Sequence, residues 1–425
     1  MRFANGGFGA QPFHPMKTRV FVMTLGLAAD FNANAAEHRL STADFTPVNE
    51  CATCHQEIYS QWQTSMHSKA ATDTLFQQLL PQAASDLGER GVGFCLTCHT
   101  PVATVSKEVA IYKPVTLPLK LSPKAMEGVT CDFCHTISGN EHFGKDISTG
   151  AYKYPRNGET AIKYGAHADT STTNHLSKES KFLQSSEFCG ICHKFNHPFS
   201  GAALQDTYEE WKSGPYSKSA KSGGKQCQDC HMPVFAGRGA DDGPQRNDLH
   251  AHVFPGGHSQ MIKQVAKVTA WAYPPKGAGK KSVNLKASVE NVGSGHFMPT
   301  GLPGLRQMWL ETVVRDSQGT EVFTNKSPIG IEALDQGGHP TMPWNATRFG
   351  NDTRIGPQKK RQWNWTIQMP ENGSGPLDVK VAVFYRLVSE VAARAAGISP
   401  SPPQEIASDH LRILSDGRVE KVSVD

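Results

Sequence analysis

The stretch Gly128-Val129-Thr130-Cys131-Asp132-Phe133-Cys134-His135 carries a C-x-x-C-H core. The same core recurs at Cys51-Cys54-His55, Cys95-Cys98-His99, Cys189-Cys192-His193 and Cys227-Cys230-His231. All 10 cysteines of the 425-residue chain fall in these five motifs. C-x-x-C-H is the attachment signature of a c-type haem. Two intervening residues set the thiols at the separation of the two haem vinyl groups, and the His that follows comes beneath the iron. Five disulfides would not require a His after each second Cys, and zinc ribbons do not demand one five times. The expectation is five covalently bound c-type haems, with His55, His99, His135, His193 and His231 as proximal ligands.

Five haems within residues 37–262 leave too little polypeptide around each for an ordinary hydrophobic core. The porphyrins are expected to form the core themselves, wrapped in short helices and loops. Helical patches are expected near 56–80 and 204–211. Loops rich in Pro, Gly, Ser and Lys are expected at 121–128, 146–158 and 212–224.

A distal His makes a low-spin haem suited to electron transfer, Met raises the potential, and an empty face admits substrate. The chain has 18 His. Nine non-proximal ones lie between residues 55 and 300, so supply exceeds need. His67 is the leading candidate, in Tyr59-x-x-Trp62-x-x-x-x-His67. His175, His252, His258 and His296 complete the candidate set, the last in Gly295-His-Phe-Met-Pro-Thr-Gly301. His142, His167 and His197 rank lower. A faint echo, Tyr208-x-x-Trp211-x-x-x-x-Tyr216, puts Tyr where the first copy has His. It reads either as coincidence with two Trp packing on haem faces, or as a haem with a Tyr-lined or open face.

Net charge is +4, with no aromatic-and-basic motif for nucleic acid. Residues 37–262 hold 20 Lys+Arg against 23 Asp+Glu, and residues 263–425 hold 20 against 15. The haem half is therefore the more acidic one, which reads as ordinary surface variation first and as a bias toward a basic docking partner second. At the N-terminus, Lys17 and Arg19 precede an apolar run from Val20 to Ala29, and Ala33-Asn34-Ala35 supplies A-x-A spacing. This reads as a secretory signal peptide within residues 1–36, with Met16 as the expected start. The run is shorter than the roughly 20 residues that span a bilayer. The mature chain is expected in the periplasm or outside the cell, with no integral membrane segment.

From 263 the pattern changes to period two. Val283, Leu285, Ala287 and Val289 alternate with polar residues, as do Met308 to Val314, Trp363 to Met369 and Val379 to Tyr385. Six or seven antiparallel strands in this span predict an immunoglobulin-like β-sandwich. No cysteine pair is left to staple it. The His296 loop is expected to lean onto the haem half and ligate one iron. Residues 389–398 read as a short helix. The fold class is thus a mainly α or irregular multihaem domain, 37–262, followed by an all-β domain, 263–425.

Four motif flanks make the reading more specific: Phe94-Cys-Leu-Thr-Cys-His99-Thr-Pro, Gly128-Val-Thr-Cys-Asp-Phe-Cys-His135-Thr, Glu187-Phe-Cys-Gly-Ile-Cys-His193 and Cys227-Gln-Asp-Cys-His231-Met-Pro. With the Trp62…His67 segment, they resemble the multihaem cytochromes of the c-554 and hydroxylamine-oxidoreductase superfamily over about residues 50–260. The resemblance implies parallel and perpendicular haem pairs, mostly bis-His, in an electron-transfer protein. It also matches His67, His175 and His252 to distal positions. The c-554 type has four haems and no large β domain, so this chain departs from it. It lacks the C-x-x-C-K motif and long terminal helices common in pentahaem nitrite reductases.

Three functions follow. The first is a secreted electron carrier passing electrons between redox partner proteins, such as other cytochromes. The second is a reductase or oxidase of a small nitrogen or sulfur compound at one open haem, for which Tyr216 is the only hint. The third is a self-associating subunit of an extracellular haem filament.

Overall fold

The computed structural model describes residues 40–139, 162–218, 220–273, 282–369 and 375–422. The expected signal segment, the 146–158 loop and His142 lie outside the described residues. Residues 38–425 form one compact unit.

Among the described residues, the haem-motif half is built of short helices and three two-stranded sheets, 162–165 with 176–179, 195–196 with 203–205 and 234–238 with 245–250. Helix α1 (Gln56–Thr64) and helix α2 (Thr74–Leu87) replace the single patch expected over 56–80. Between them the Ser68 hydroxyl donates to the carbonyls of Gln63 and Ser65, at 3.0 and 2.9 Å. Side-chain capture of such carbonyls competes with the next turn, so the helix stops before His67. Helix α2 restarts where the Asp73 carboxylate accepts the Phe76 N–H at 3.0 Å and stops at Gly88, φ +55. Helix α3 (Ser186–His193) carries the fourth motif, and helix α4 (Thr207–Lys212) overlaps the second expected patch. Apolar clusters here are small: one gathers Phe45, Val102, Phe133, Ile137 and Ile191, another Leu96, Ala103, Val109 and Ala125. Neither is a domain-sized core.

The C-terminal half is a sandwich. Its strands are β1 (Ala266–Tyr273), β2 (Ser282–Asn291), β3 (Gln307–Arg315), β4 (Glu321–Ile329), β5 (Lys360–Gln368), β6 (Leu377–Arg386), β7 (Gln404–Ile413) and β8 (Val419–Lys421). One sheet runs β5-β2-β1 and the other β4-β3-β6-β7-β8, antiparallel throughout. Strands one, two and five against four, three, six and seven is immunoglobulin-like topology. Leu285 and Val289 meet Leu310, Val314, Val381 and Val383 in one fully buried cluster. Each such side chain is worth about 1.5–3 kcal/mol of burial, which replaces the missing disulfide. The four period-two segments read from sequence are β2, β3, β5 and β6.

Helix α5 (Glu390–Ala396), within the stretch expected to be helical, packs on α2. Leu79, Leu80, Ala83 and Leu87 of α2 share a cluster with Trp344 and Ala396. The Trp344 indole N–H donates to Asp86 at 2.6 Å. Haem-motif half and sandwich are therefore joined by a buried face.

Candidate haem-binding sites

Four motifs sit on short helical segments and the first on the turn that leaves the helix Val48–Cys51, so the two cysteines of each, three residues apart, share one face. For the third motif, Thr130 caps the turn by accepting the Phe133 N–H at 3.1 Å. The adjoining imidazoles are then fixed through Nδ1. His55 bonds the Gly239 carbonyl at 2.5 Å, and His99, His135 and His231 bond those of Ala70, Tyr164 and Pro255 at 2.6 Å each. A carbonyl at Nδ1 fixes the tautomer and leaves Nε2 for a metal. His193 differs, because its Nδ1 lies 3.2 Å from the side-chain amide of Gln205.

Opposite four of these imidazoles stands a second one. Ring centres are 6.4 Å apart for His55 and His175, 6.5 Å for His67 and His193, 6.1 Å for His135 and His252, and 6.3 Å for His231 and His296. A metal about 2 Å from each nitrogen, with each ring centre about 1.2 Å behind, separates two coaxial imidazoles by about 6.4 Å. The residues present therefore fit one iron between each pair. Three of the second imidazoles are also carbonyl-bound through Nδ1: His252 to His250 at 2.9 Å, His175 to Leu176 at 3.3 Å and His296 to Phe297 at 3.0 Å. Burial holds His67 down to about 3, and His193 and His252 to about 4. These rings are neutral, the form that ligates metal.

His99 is the exception. Among the described residues no imidazole faces it, and Phe76 lies flat on its ring with centres 3.8 Å apart. His258 stands opposite no proximal imidazole among the described ring contacts; it is exposed, in the field of Arg306 and Lys69. His197 is fully engaged, with Nε2 on the Trp344 carbonyl at 2.8 Å and Nδ1 accepting the N–H groups of Phe199 and Ser200. His167 sits beside Arg246 and Asp248.

The Tyr-x-x-Trp echo is a structural repeat. Tyr59–Trp62 and Tyr208–Trp211 pack alike, with centres at 5.9 and 5.7 Å. Trp62 donates to the Val129 carbonyl, and Trp211 to that of Lys225, both at 2.8 Å. The N–H groups of Val129 and Lys225 return to the carbonyls of His67 and Tyr216, at 3.0 and 2.9 Å. Each copy thus clamps the residue two before a motif's first Cys.

His296 reaches the fifth motif from the sandwich. Buried Asn291 accepts the Ser294 N–H at 3.0 Å and donates to the His296 carbonyl at 2.9 Å. From α4, buried Glu210 accepts the Phe297 N–H at 3.1 Å and the Thr300 hydroxyl at 2.7 Å, and pairs with Arg354 at 2.5 Å. No sequence pattern singles out Glu210, Gln205 or Phe76.

The motifs also touch one another. The thiols of Cys51 and Cys131 interact, as do Cys98 and Cys192, and Cys189 and Cys227. Motif one thus adjoins three, and motif four adjoins both two and five.

Five C-x-x-C-H segments, four of whose imidazoles face a second one, stand on a half of short helices joined to a β-sandwich. Residues 50–136 match the family described as cytochrome c554 and c-prime. Over most of its length the chain shares the fold of a penta-heme cytochrome c552 from Thermochromatium tepidum: TM-score 0.63, 23% identity, covering 88% of this chain and 99% of that one. A putative β-galactosidase from Bacteroides fragilis (13% identity, 37% of this chain and 17% of that one) and a β-glucuronidase of glycoside hydrolase family 2 (11%, 35% and 12%) align at TM-scores of 0.19 each. A search of curated proteins finds no match.

Proposed function

We propose that the chain is a pentahaem c-type electron carrier, exported by its N-terminal segment and acting in the periplasm or outside the cell. The four imidazole pairs at 6.1–6.5 Å carry this reading. Each bound haem would supply one-electron exchange between ferric and ferrous iron. The protein's part is to attach each through the two cysteines of its motif, hold neutral imidazoles on its axis and set motif beside motif. The adjacency runs one–three by the Cys51–Cys131 contact and two–four–five by the other thiol contacts. Phe254 lies against both His252 and His67, the distal partners of motifs three and four, and links the two groups. Electrons would pass along one–three–four–five, with motif two branching from four. Cys54 and Cys230 are the exposed thiols, which favours motifs one and five as the ports for redox partners. Among the described residues no helix is long and apolar enough to cross a membrane. The domain limits proposed are 37–262 and 263–425.

Haem counting by pyridine haemochrome together with the intact mass tests the cofactor reading; fewer than five covalent haems per chain would refute it. Rapid mixing with a reduced cytochrome tests the carrier role, which fails if the haems cannot be reduced by any protein donor.

A second reading is favoured by His99 alone, which faces Phe76 and no second imidazole among the described residues. That centre would be open to a small nitrogen or sulfur compound. Cyanide or CO binding to one haem of the native protein, with turnover, supports it; inertness of all five removes it. The filament reading requires a neighbour's His at an end motif; His175 and His296 of this same chain face motifs one and five, which, among the described residues, leaves only His99 of motif two for such a donor.

A further inference from the structure

The fourth motif is held differently from the rest on both sides of its axis. On the proximal side, the other four histidines give Nδ1 to main-chain carbonyls, while His193 meets the amide of Gln205. The chain leaves His193, forms the hairpin Phe195–Asn196 with Ala203–Gln205, and so returns Gln205 to the imidazole. As placed, the amide nitrogen faces Nδ1, and the amide oxygen is buried with no partner. Amide oxygen and nitrogen exchange places by a half-turn of the group. That turn gives the amide oxygen the Nδ1–H as its donor.

On the distal side, among the described residues the His67 ring has an aromatic edge rather than a hydrogen bond to steer it. Phe254 meets it at 61°, with centres 4.3 Å apart. Phe254 has φ +43, a conformation that a bulky residue keeps only when its surroundings demand it. The surroundings here are functional at each step: His252 faces motif three, Phe254 presses on His67, and the Pro255 carbonyl holds His231 of motif five. The outcome is visible in the ring planes. His67 and His193 are turned 55° from each other, against 25°, 24° and 15° for the other three pairs.

We propose that Gln205 and Phe254 are positioning residues of the fourth centre, Gln205 setting the hydrogen bond on His193 and Phe254 the rotation of His67. The proposal rests on the reading of this pair as the axial ligands of a c-type haem. A stronger acceptor at Nδ1 makes an imidazole more basic and favours ferric iron; removing the acceptor does the reverse. The angle between axial imidazole planes sets the anisotropy of the ferric electron-spin signal. One centre is therefore tuned by exchangeable side chains, at the node where three other motifs meet.

The test uses full-length protein with its haems, redox titration and low-temperature electron paramagnetic resonance. His67→Met marks which midpoint and which ferric signal belong to the fourth centre. Gln205→Glu should lower that midpoint, and Gln205→Leu should raise it, with the other four unmoved. Phe254→Leu should change that centre's g-values, and Phe254→Tyr should retain the wild-type signal. Same-direction or absent shifts in the two Gln205 variants overturn the Gln205 role, since a purely structural residue gives no reversal of sign. Unchanged g-values in Phe254→Leu overturn the Phe254 role. Should Phe254→Leu not retain five haems, Phe254→Met replaces it with the same expected change. A wild-type protein with five haems but no low-spin fourth centre would refute the reading of His67 and His193 as its axial pair, a result separate from these.

Discussion

A Cβ added to Gly128 would stand 2.5 Å from the carbonyl oxygen of His67. Gly128 also has φ +80, so two independent constraints require glycine just before the third motif. The same His67 carbonyl accepts the Val129 N–H at 3.0 Å. The flank of motif three therefore seats the imidazole that faces motif four. With φ +80 and ψ −134, Gly128→Ala costs about 1–3 kcal/mol from backbone strain alone, before the carbonyl has to move. The expected damage is in the fourth centre's ligand field and midpoint, with the third centre less affected. Thermal unfolding and spin-resonance spectra of the variant check this; a wild-type signal from the fourth centre would contradict the seating role.

The two tryptophan clamps make a paired prediction. Trp62→Phe and Trp211→Phe each remove the indole donor from a main-chain carbonyl, that of Val129 or Lys225. A buried acceptor left without its donor costs about 1–3 kcal/mol. Trp62 is 7% exposed, whereas Trp211 is only half-buried, so water can replace the lost donor more readily there. Chemical denaturation should show the larger loss for Trp62→Phe. Equal losses would mean that the hydrogen bond is not what the clamp supplies.

The motifs were legible because covalent attachment fixes both spacing and residue type, and the sandwich because burial of one sheet face imposes period two. The Tyr-x-x-Trp echo was visible as letters, but its meaning lay in backbone bonds to Val129 and Lys225 that letters do not encode. The second imidazoles are placed by tertiary folding: His252 and His258 lie in one histidine-rich segment, yet His252 faces His135 of motif three and His258 is exposed. Gln205 carries no signal at all, because its role depends on a hairpin that returns it to His193. The helix expected over 56–80 was interrupted by Ser68, whose hydroxyl takes the helix carbonyls in a way that periodicity does not register.

Because His296 belongs to the sandwich, the sandwich core should govern one centre's ligand. Leu285→Ala removes a fully buried side chain from between the sheets, at about 2–5 kcal/mol. Below its transition the variant should have wild-type haem spectra. On heating, the fifth centre should become high-spin at a lower temperature than in the wild type, as His296 leaves His231, while the pairs contributed by residues before 263 persist. Temperature-resolved Soret and near-infrared spectra follow this. Simultaneous loss of all low-spin centres would show instead that the two halves unfold as one unit.

Glu210 offers the complementary test from the haem-motif side. Its carboxylate is 4% exposed and joins α4 to the Phe297 N–H, the Thr300 hydroxyl and Arg354. Removing one partner of a buried ion pair costs about 3–5 kcal/mol, because the remaining charge is left uncompensated. Arg354 also pairs with Asp352 at 2.8 Å, which places Glu210→Ala at the lower end of that range. Glu210→Gln keeps an acceptor for Phe297 and Thr300 and loses only the charge opposite Arg354, so it should be milder. The distinguishing readout is ligation. In Glu210→Ala the loop 295–301 loses its anchor, and a fraction of the fifth centre should bind cyanide within minutes, whereas Glu210→Gln should remain inert. A Glu210→Ala protein that is destabilised yet binds no cyanide would show that Asn291 and the backbone pairing of Met298 with Ile355 suffice to hold His296 in place.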